Sequence, residues 1–183
     1  MTPGEAHLNA DGSCEVYDTI DEVTSGTWPS VRAWADAWLN EWRAGEYGPA
    51  CEFVDALTES APSGVVDVIV TLADATEGDD ELLGWVGAGP LEDLVSHSRN
   101  SLAVLDDVER AARLEPMFGK ALWRVWLGTG DVPELARHRL AELGARDFVA
   151  EHAMTEPELA AYAAGRRAKG WDPPEQAAVK PVG

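Results

Sequence analysis

The sequence predicts an all-α protein, built as a compact multi-helix bundle or as a short solenoid-like stack of antiparallel helices. Three observations lead there. Apolar residues recur at three- and four-residue spacing along most of the chain, the period of a helix face. Gly and Pro interrupt that pattern at intervals that suit short helices. Two segments, Asp131-Val132-Pro133-Glu134 and Thr155-Glu156-Pro157-Glu158, carry the N-cap and third-residue acid of a capping box.

Residues 1–27 hold six acids and no Lys or Arg, and read as an acidic, partly disordered arm with Val16, Tyr17, Ile20 and Val23 as docking points. A single helical domain is expected over 28–169, with a core at 28–128 and C-terminal helices at 131–169. Its first helix starts at Trp28-Pro29-Ser30 with Thr27 as N-cap, carries Val31, Trp34, Trp38 and Trp42 on one stripe, and stops at Gly45. The Trp stripe reads as core-facing, since Asp36, Glu41 and Glu46 lie off it. Gly48-Pro49 opens a second helix bearing Phe53, Val54 and Leu57. Residues 65–70 are rich in β-branched side chains, which favours a strand. A lone strand would have no partner, however, and Val66, Ile69, Val70 and Ala73 fit a helix face.

The helix from Glu81 then meets Gly87-Ala88-Gly89-Pro90. Gly past a helix end and Pro at a helix start predict a helix–turn–helix corner, with Glu92 and Asp93 facing the positive dipole end of the new helix. Further helices are expected from Ser101 to Leu114 (Leu102, Leu105, Val108 and Ala112 inward), from Pro116 through Trp126, from Asp131 to Leu143, over 145–153, and from Thr155 to Lys169. Residues 170–183 read as a flexible tail.

The formal net charge is −19. Residues 1–100 hold 20 acids against three arginines, a balance of −17, and the first lysine is Lys120. Such a field repels nucleic acid and anionic membranes and attracts basic proteins. The acidic run Asp74, Glu77, Asp79, Asp80 and Glu81 is the candidate partner-binding segment. Arg137-His138-Arg139 and Arg166-Arg167 read as solvated basic spots on helix faces. Cys14 and Cys51 lack metal-ligand spacing and read as buried thiols in a reducing compartment. No secretory leader pattern and no apolar run of membrane-spanning length occurs, which predicts a cytoplasmic protein.

The corner also supplies the candidate catalytic residues. Glu92, Asp93 and His97 lie together, and Asp93 and His97, four apart, share a helix face. A carboxylate beside an imidazole serves acid–base or metal chemistry, with Glu109, Arg113 or Arg124 as further members. Phosphate-binding Gly loops, nucleophile elbows, H-E-x-x-H and Cys/His clusters are absent from the sequence. No cofactor and no metal are expected. The balance favours a protein-binding module, an immunity or antitoxin-like neutraliser of a basic toxin or nuclease, over an enzyme or metal-binding domain.

Three stretches in order, Ala88-Gly89-Pro90-Leu91-Glu92-Asp93-Leu94-Val95, Val108-Glu109-Arg110-Ala111-Ala112-Arg113 and Pro116-Met117-Phe118 with Leu122-Trp123-Arg124-Val125-Trp126, carry a family likeness. The chain resembles, over about residues 30–128, an uncharacterised bacterial helical domain family marked by an A-G-P-L-E-D-L-L corner and a downstream P-x-F…L…V-W element. The His-Gly that follows the corner in similar sequences is His97-Ser98 here. The resemblance implies a small helical domain of unknown function and transfers no catalytic residue.

Overall fold

Residues expected as an N-terminal arm pair into a sheet, so the fold is mostly α rather than all-α. In the computed structural model, which describes residues 5–18, 23–96, 98–128 and 132–172, β1 (Glu5–Leu8), β2 (Cys14–Asp18) and β3 (Val23–Trp28) form an antiparallel sheet in that order. Cys14 pairs with Leu8 on one side and Trp28 on the other. A strand alternates its side chains between faces, and Cys14 and Val16 take the buried one. The β1–β2 turn is closed by Asp11, whose carboxylate accepts from the Ser13 backbone N–H at 3.0 Å and the Ser13 hydroxyl at 2.6 Å. The period-two signal spans only a few residues, and the surrounding acids outweigh it in composition.

Helix α1 (Val31–Ala44) is capped by Ser30, not Thr27: the Ser30 hydroxyl accepts from the Ala33 N–H at 3.2 Å, and Trp28 belongs to β3. Trp34 and Trp38 are buried, while Trp42, at the far end of the stripe, reaches the surface. The Trp34 indole N–H donates to the Ala50 carbonyl at 3.0 Å, which satisfies its buried donor. Glu41, expected in solvent, reaches across to α2 (Pro49–Ser60) and accepts from the Ala50 and Cys51 N–H groups at 3.1 and 3.0 Å, capping that helix. At its other end, buried Asn100 donates to the carbonyls of Thr58 and Glu59. The β-branched run is helical, as its spacing favours: α3 (Val65–Ala75) buries Val65, Val66, Val68, Ile69, Leu72 and Ala73.

The Gly/Pro segment is not a corner. Helix α4 (Asp80–Val86) runs through a π-helical turn (Gly87–Leu91) into α5 (Glu92–Ser96). The Glu92 N–H bonds the Gly87 and Gly89 carbonyls inside one continuous helical path. A π turn is wider than an α turn, so it accommodates the ring and the missing N–H of Pro90, which is buried within it. Gly87 is required by packing: a Cβ there would meet the Ala121 carbonyl oxygen at 2.2 Å. Glu92 and Asp93 therefore do not face a free helix N-terminus.

Helix α6 (Ser98–Leu114) buries Ser101, Val104, Leu105, Val108 and Ala111, and Leu102, expected inward, is 50% exposed. Helix α7 (Pro116–Leu122) stops before Trp126, which with Leu127 forms β4, paired parallel with β5 (Arg146–Asp147). Between them α8 (Glu134–Glu142) has Pro133 at its cap position, while Asp131, the expected N-cap, lies outside the described residues. The helix expected over 145–153 begins only at Phe148 as α9 (Phe148–Ala153), since Arg146 and Asp147 are strand. Helix α10 (Glu156–Ala168) opens with the anticipated capping box, Glu158 accepting from the Thr155 N–H at 2.8 Å and hydroxyl at 2.6 Å. One apolar core joins Cys14 and Val16 of the sheet to α1–α8. Both free cysteines are buried, which pushes each thiol up to about 11.

The π turn offers a matched pair of variants. Gly87→Ala is expected to lower unfolding stability by about 1–3 kcal/mol through overpacking. At Gly89 a Cβ would meet nothing within 4 Å and φ is not positive, so Gly89→Ala is expected to be neutral or mildly stabilising. Urea unfolding of the two variants side by side checks this; equal effects would contradict it.

Candidate functional site

The corner residues Glu92 and Asp93 stand side by side at the start of α5. Glu92 is half-buried, and its carboxylate accepts the Trp126 backbone N–H at 2.8 Å, tying α5 to β4. Burial raises the Glu92 carboxyl above its ordinary value; the Trp126 hydrogen bond opposes the shift and neighbouring Asp93 adds to it. Asp93 is exposed, and His97 lies outside the described residues. Glu109 is engaged elsewhere, by Arg139 at 2.5 Å and Arg113 at 3.6 Å. Among the described residues, no group of three or more His, Cys, Asp or Glu side chains is placed to hold a metal ion.

The acidic run divides by role. Asp79 is the N-cap of α4, accepting from the Glu81 and Leu82 N–H groups at 3.0 and 3.1 Å. Glu77 adopts a left-handed φ of 53° in the α3–α4 turn, 3.8 Å from Arg32. Asp74, Asp80 and Glu81 are exposed. Beside this turn, Trp42 and Trp85 meet with ring centroids 4.9 Å apart, and Trp38 stacks behind Trp42 at 5.6 Å. Trp42 and Trp85 stay 38% and 44% exposed. With Arg43, Asp79, Glu81 and Leu82 they line a concavity of about 280 Å³. A second hollow of about 310 Å³ adjoins it, sharing Arg43 and running along α1 past Arg32 and Asp36 to Glu77.

The basic residues divide as well. Arg166 is buried, not solvated. Its guanidinium donates to Asp172 at 2.9 Å, to the Gly144 carbonyl at 2.8 Å and to the Trp123 carbonyl at 3.2 Å. It thereby fixes the end of α10 to the α7 and α8 termini, and it brings Trp171 and Asp172, expected in a tail, back onto the fold. Arg139 likewise leaves solvent to pair with Glu109 and Asp106 of α6. Arg146 clasps Glu151 and lies 3.9 Å over the Trp126 ring. Lys120, Arg124 and Arg167 behave differently. They line one concavity of about 510 Å³ together with Asp80 and Leu83 from α4, Trp123, and Gly170, Trp171 and Asp172. Among the described residues none of these three cations has a carboxylate within ion-pair distance.

Sequence spacing brought Lys120 and Arg124 together, four residues apart. It gave no sign that Arg167 and Trp171 would join them, because that convergence is tertiary. Gly144 is the one local trace. Its φ is 109°, and a Cβ there would strike Trp123 at 2.5 Å and Trp171 at 3.0 Å.

Residues 40–147, more than half of the chain, match the model of a family of unknown function, DUF6869. The match begins within α1 and ends at β5. It therefore includes the π turn, Trp42, Trp85, Lys120 and Arg124, and leaves out the N-terminal sheet and α10. No curated protein and no solved structure matches the chain.

Two expectations follow from these contacts. Arg166→Met leaves two carbonyls and Asp172 without their donor and should cost about 3–5 kcal/mol in urea unfolding, the scale of a broken buried pair; a loss below about 1 kcal/mol would place Arg166 in solvent. Because burial raises the Glu92 carboxyl relative to the unfolded chain, the folded state binds protons more readily at this group, so ionising Glu92 opposes folding. The native chain should therefore gain stability relative to Glu92→Gln as pH falls from about 7 to about 4. Parallel pH profiles of the two proteins would refute the burial of this carboxylate.

Proposed function

The chain belongs to this family of unknown function, and we propose that it is an acidic protein-binding module whose docking surface is the Trp42–Trp85 ledge with the carboxylates beside it. The observation that carries the reading is the pairing of two half-exposed indoles with Glu81 and Asp79 at one edge of the −19 chain. Buried Trp is common; two Trp side chains in contact and both partly exposed are an interface feature. Indole faces attract cations, and the neighbouring carboxylates supply the opposite charge to a Lys or Arg side chain. Asp74, Asp80 and Glu81 extend the acidic field around the ledge and steer a basic partner toward it. Asp79 and Glu77 contribute charge too, but Asp79 also holds the helix that carries Trp85. Arg43 is the one cation in the hollow, and it sets where a basic side chain cannot dock. The biological form this reading takes is an immunity or antitoxin-like neutraliser of a basic toxin or nuclease, in the cytoplasm. Among the described residues no helix is long and apolar enough to cross a membrane.

The test is capture of proteins encoded by neighbouring genes at low and high salt, with native protein and two variants. Trp85→Ala combined with Glu81→Lys is expected to abolish capture of a basic partner, while Leu102→Ala, on the exposed side of α6, leaves it intact. Binding at low salt should weaken steeply as ionic strength rises. A partner that is acidic, or one captured equally by the ledge variant, would count against the reading.

A further inference from the structure

The geometry points to a second site on the same molecule: the concavity of Lys120, Arg124 and Arg167 binds a small phosphorylated metabolite of nucleoside-phosphate size. In a chain with 33 acids and 14 Lys or Arg, six of the twelve cations with described surroundings are paired with a carboxylate. Arg32, Arg110, Arg113, Arg139, Arg146 and Arg166 each have a carboxylate partner. The three that converge on this pocket do not, and they come from different parts of the chain, α7 and the turn after it, and α10. Unpaired cations gathered in a hollow are the arrangement that recognises an oxyanion, and guanidinium groups match phosphate geometry with paired N–H donors.

The pocket is also held in shape. Arg166, immediately behind it, ties down the backbone of Trp123 and the carboxylate of Asp172, and so neutralises the one acid on that wall. Asp80, on the opposite wall, is the acid left facing the pocket, and it can accept from a hydroxyl or amine on the ligand. A bare phosphate would not fill the space. The volume of about 510 Å³ falls in the range of small-molecule sites, about 300–1,000 Å³, and Leu83, Trp123 and Trp171 provide an apolar wall for an organic ring. The acidity of the whole chain does not forbid an anion here, because at physiological salt exposed charges are screened over about 8 Å, while the three cations are in the pocket itself.

Titration calorimetry of the full chain in EDTA-buffered solution, with ADP, pyrophosphate and adenosine as separate probes, tests the site. ADP is expected to bind, pyrophosphate to bind more weakly, and adenosine not to bind detectably. Arg124→Ala and Arg167→Ala should each weaken ADP by about tenfold, the value of one charge-assisted contact. Thermal melts should be unchanged, since neither side chain holds another part of the fold. The proposal is overturned if ADP fails to bind up to millimolar concentration, or if the two arginine variants bind it as the native chain does. Adenosine binding as tightly as ADP would remove the oxyanion from the recognition, and pyrophosphate binding as tightly as ADP would remove the organic group; either result refutes a phosphorylated metabolite. Ledge variants such as Trp85→Ala should leave ADP binding untouched, which keeps this test separate from that of the protein-binding surface.

Discussion

The approach of Gly87 to the Ala121 carbonyl sets the positions of everything of functional interest in this fold. It lets the α4–α5 path lie directly against α7, with no side chain between the two backbones. From that one contact the α4–α5 path presents different faces to three neighbours. Leu83 and Asp80 reach the cationic hollow beside α7, Trp85 meets Trp42 of α1, and just beyond the π turn Glu92 takes the Trp126 N–H. The π turn makes the geometry available. It carries the helix past a proline that an α turn would exclude, at the cost of one widened hydrogen-bonded loop. Such turns are frequent at functional sites, and here the turn directly follows the helix that lines both candidate surfaces and contributes a side chain to neither.

Charge is organised rather than merely excessive. Several acids of the N-terminal half serve the fold: Asp79 and Glu41 cap helices, and Asp11 closes a turn. The cations of the C-terminal half stitch its short helices together, because that region has little apolar area of its own; α9 and α10 bury no hydrophobic side chain fully. Arg139 links α8 to α6, Arg146 holds α9 to β4, and Arg166 anchors α10. Against that background, Lys120, Arg124 and Arg167 stand out because they converge on one hollow without a carboxylate partner among the described residues. The same logic separates the Trp residues, for Trp34 is satisfied and buried whereas Trp42 and Trp85 remain open.

How much of this was legible in the sequence depended on the range of the interaction. The helical spacing of Val66, Ile69 and Val70, the Gly48-Pro49 start and the Thr155–Glu158 capping box are local, and each reads correctly from a few residues. The β1–β3 sheet was hidden because alternation over five residues is short and is surrounded by acids that suggest an arm. The Gly87–Pro90 segment misled for a physical reason. Gly and Pro carry the same local signature at a helix end and in a π turn, and the difference lies with Ala121, more than 30 residues away. Arg166 and Arg167 are adjacent in sequence and opposite in fate, one buried and one facing a hollow, and nothing in their neighbourhood distinguishes them. Glu92 was legible as a special acid, but its partner is a backbone N–H that no side-chain pattern announces.

The continuity of the helix through the π turn is the central claim, and amide hydrogen exchange measures it directly. With the Gly87 N–H bonded to Leu83 and Gly84 and the Glu92 N–H bonded to Gly87 and Gly89, both amides should exchange slowly and open together with the core. A Glu92 amide that exchanges at the rate of an unstructured turn, while Val86 stays protected, would restore a corner at Gly89-Pro90 and contradict the account.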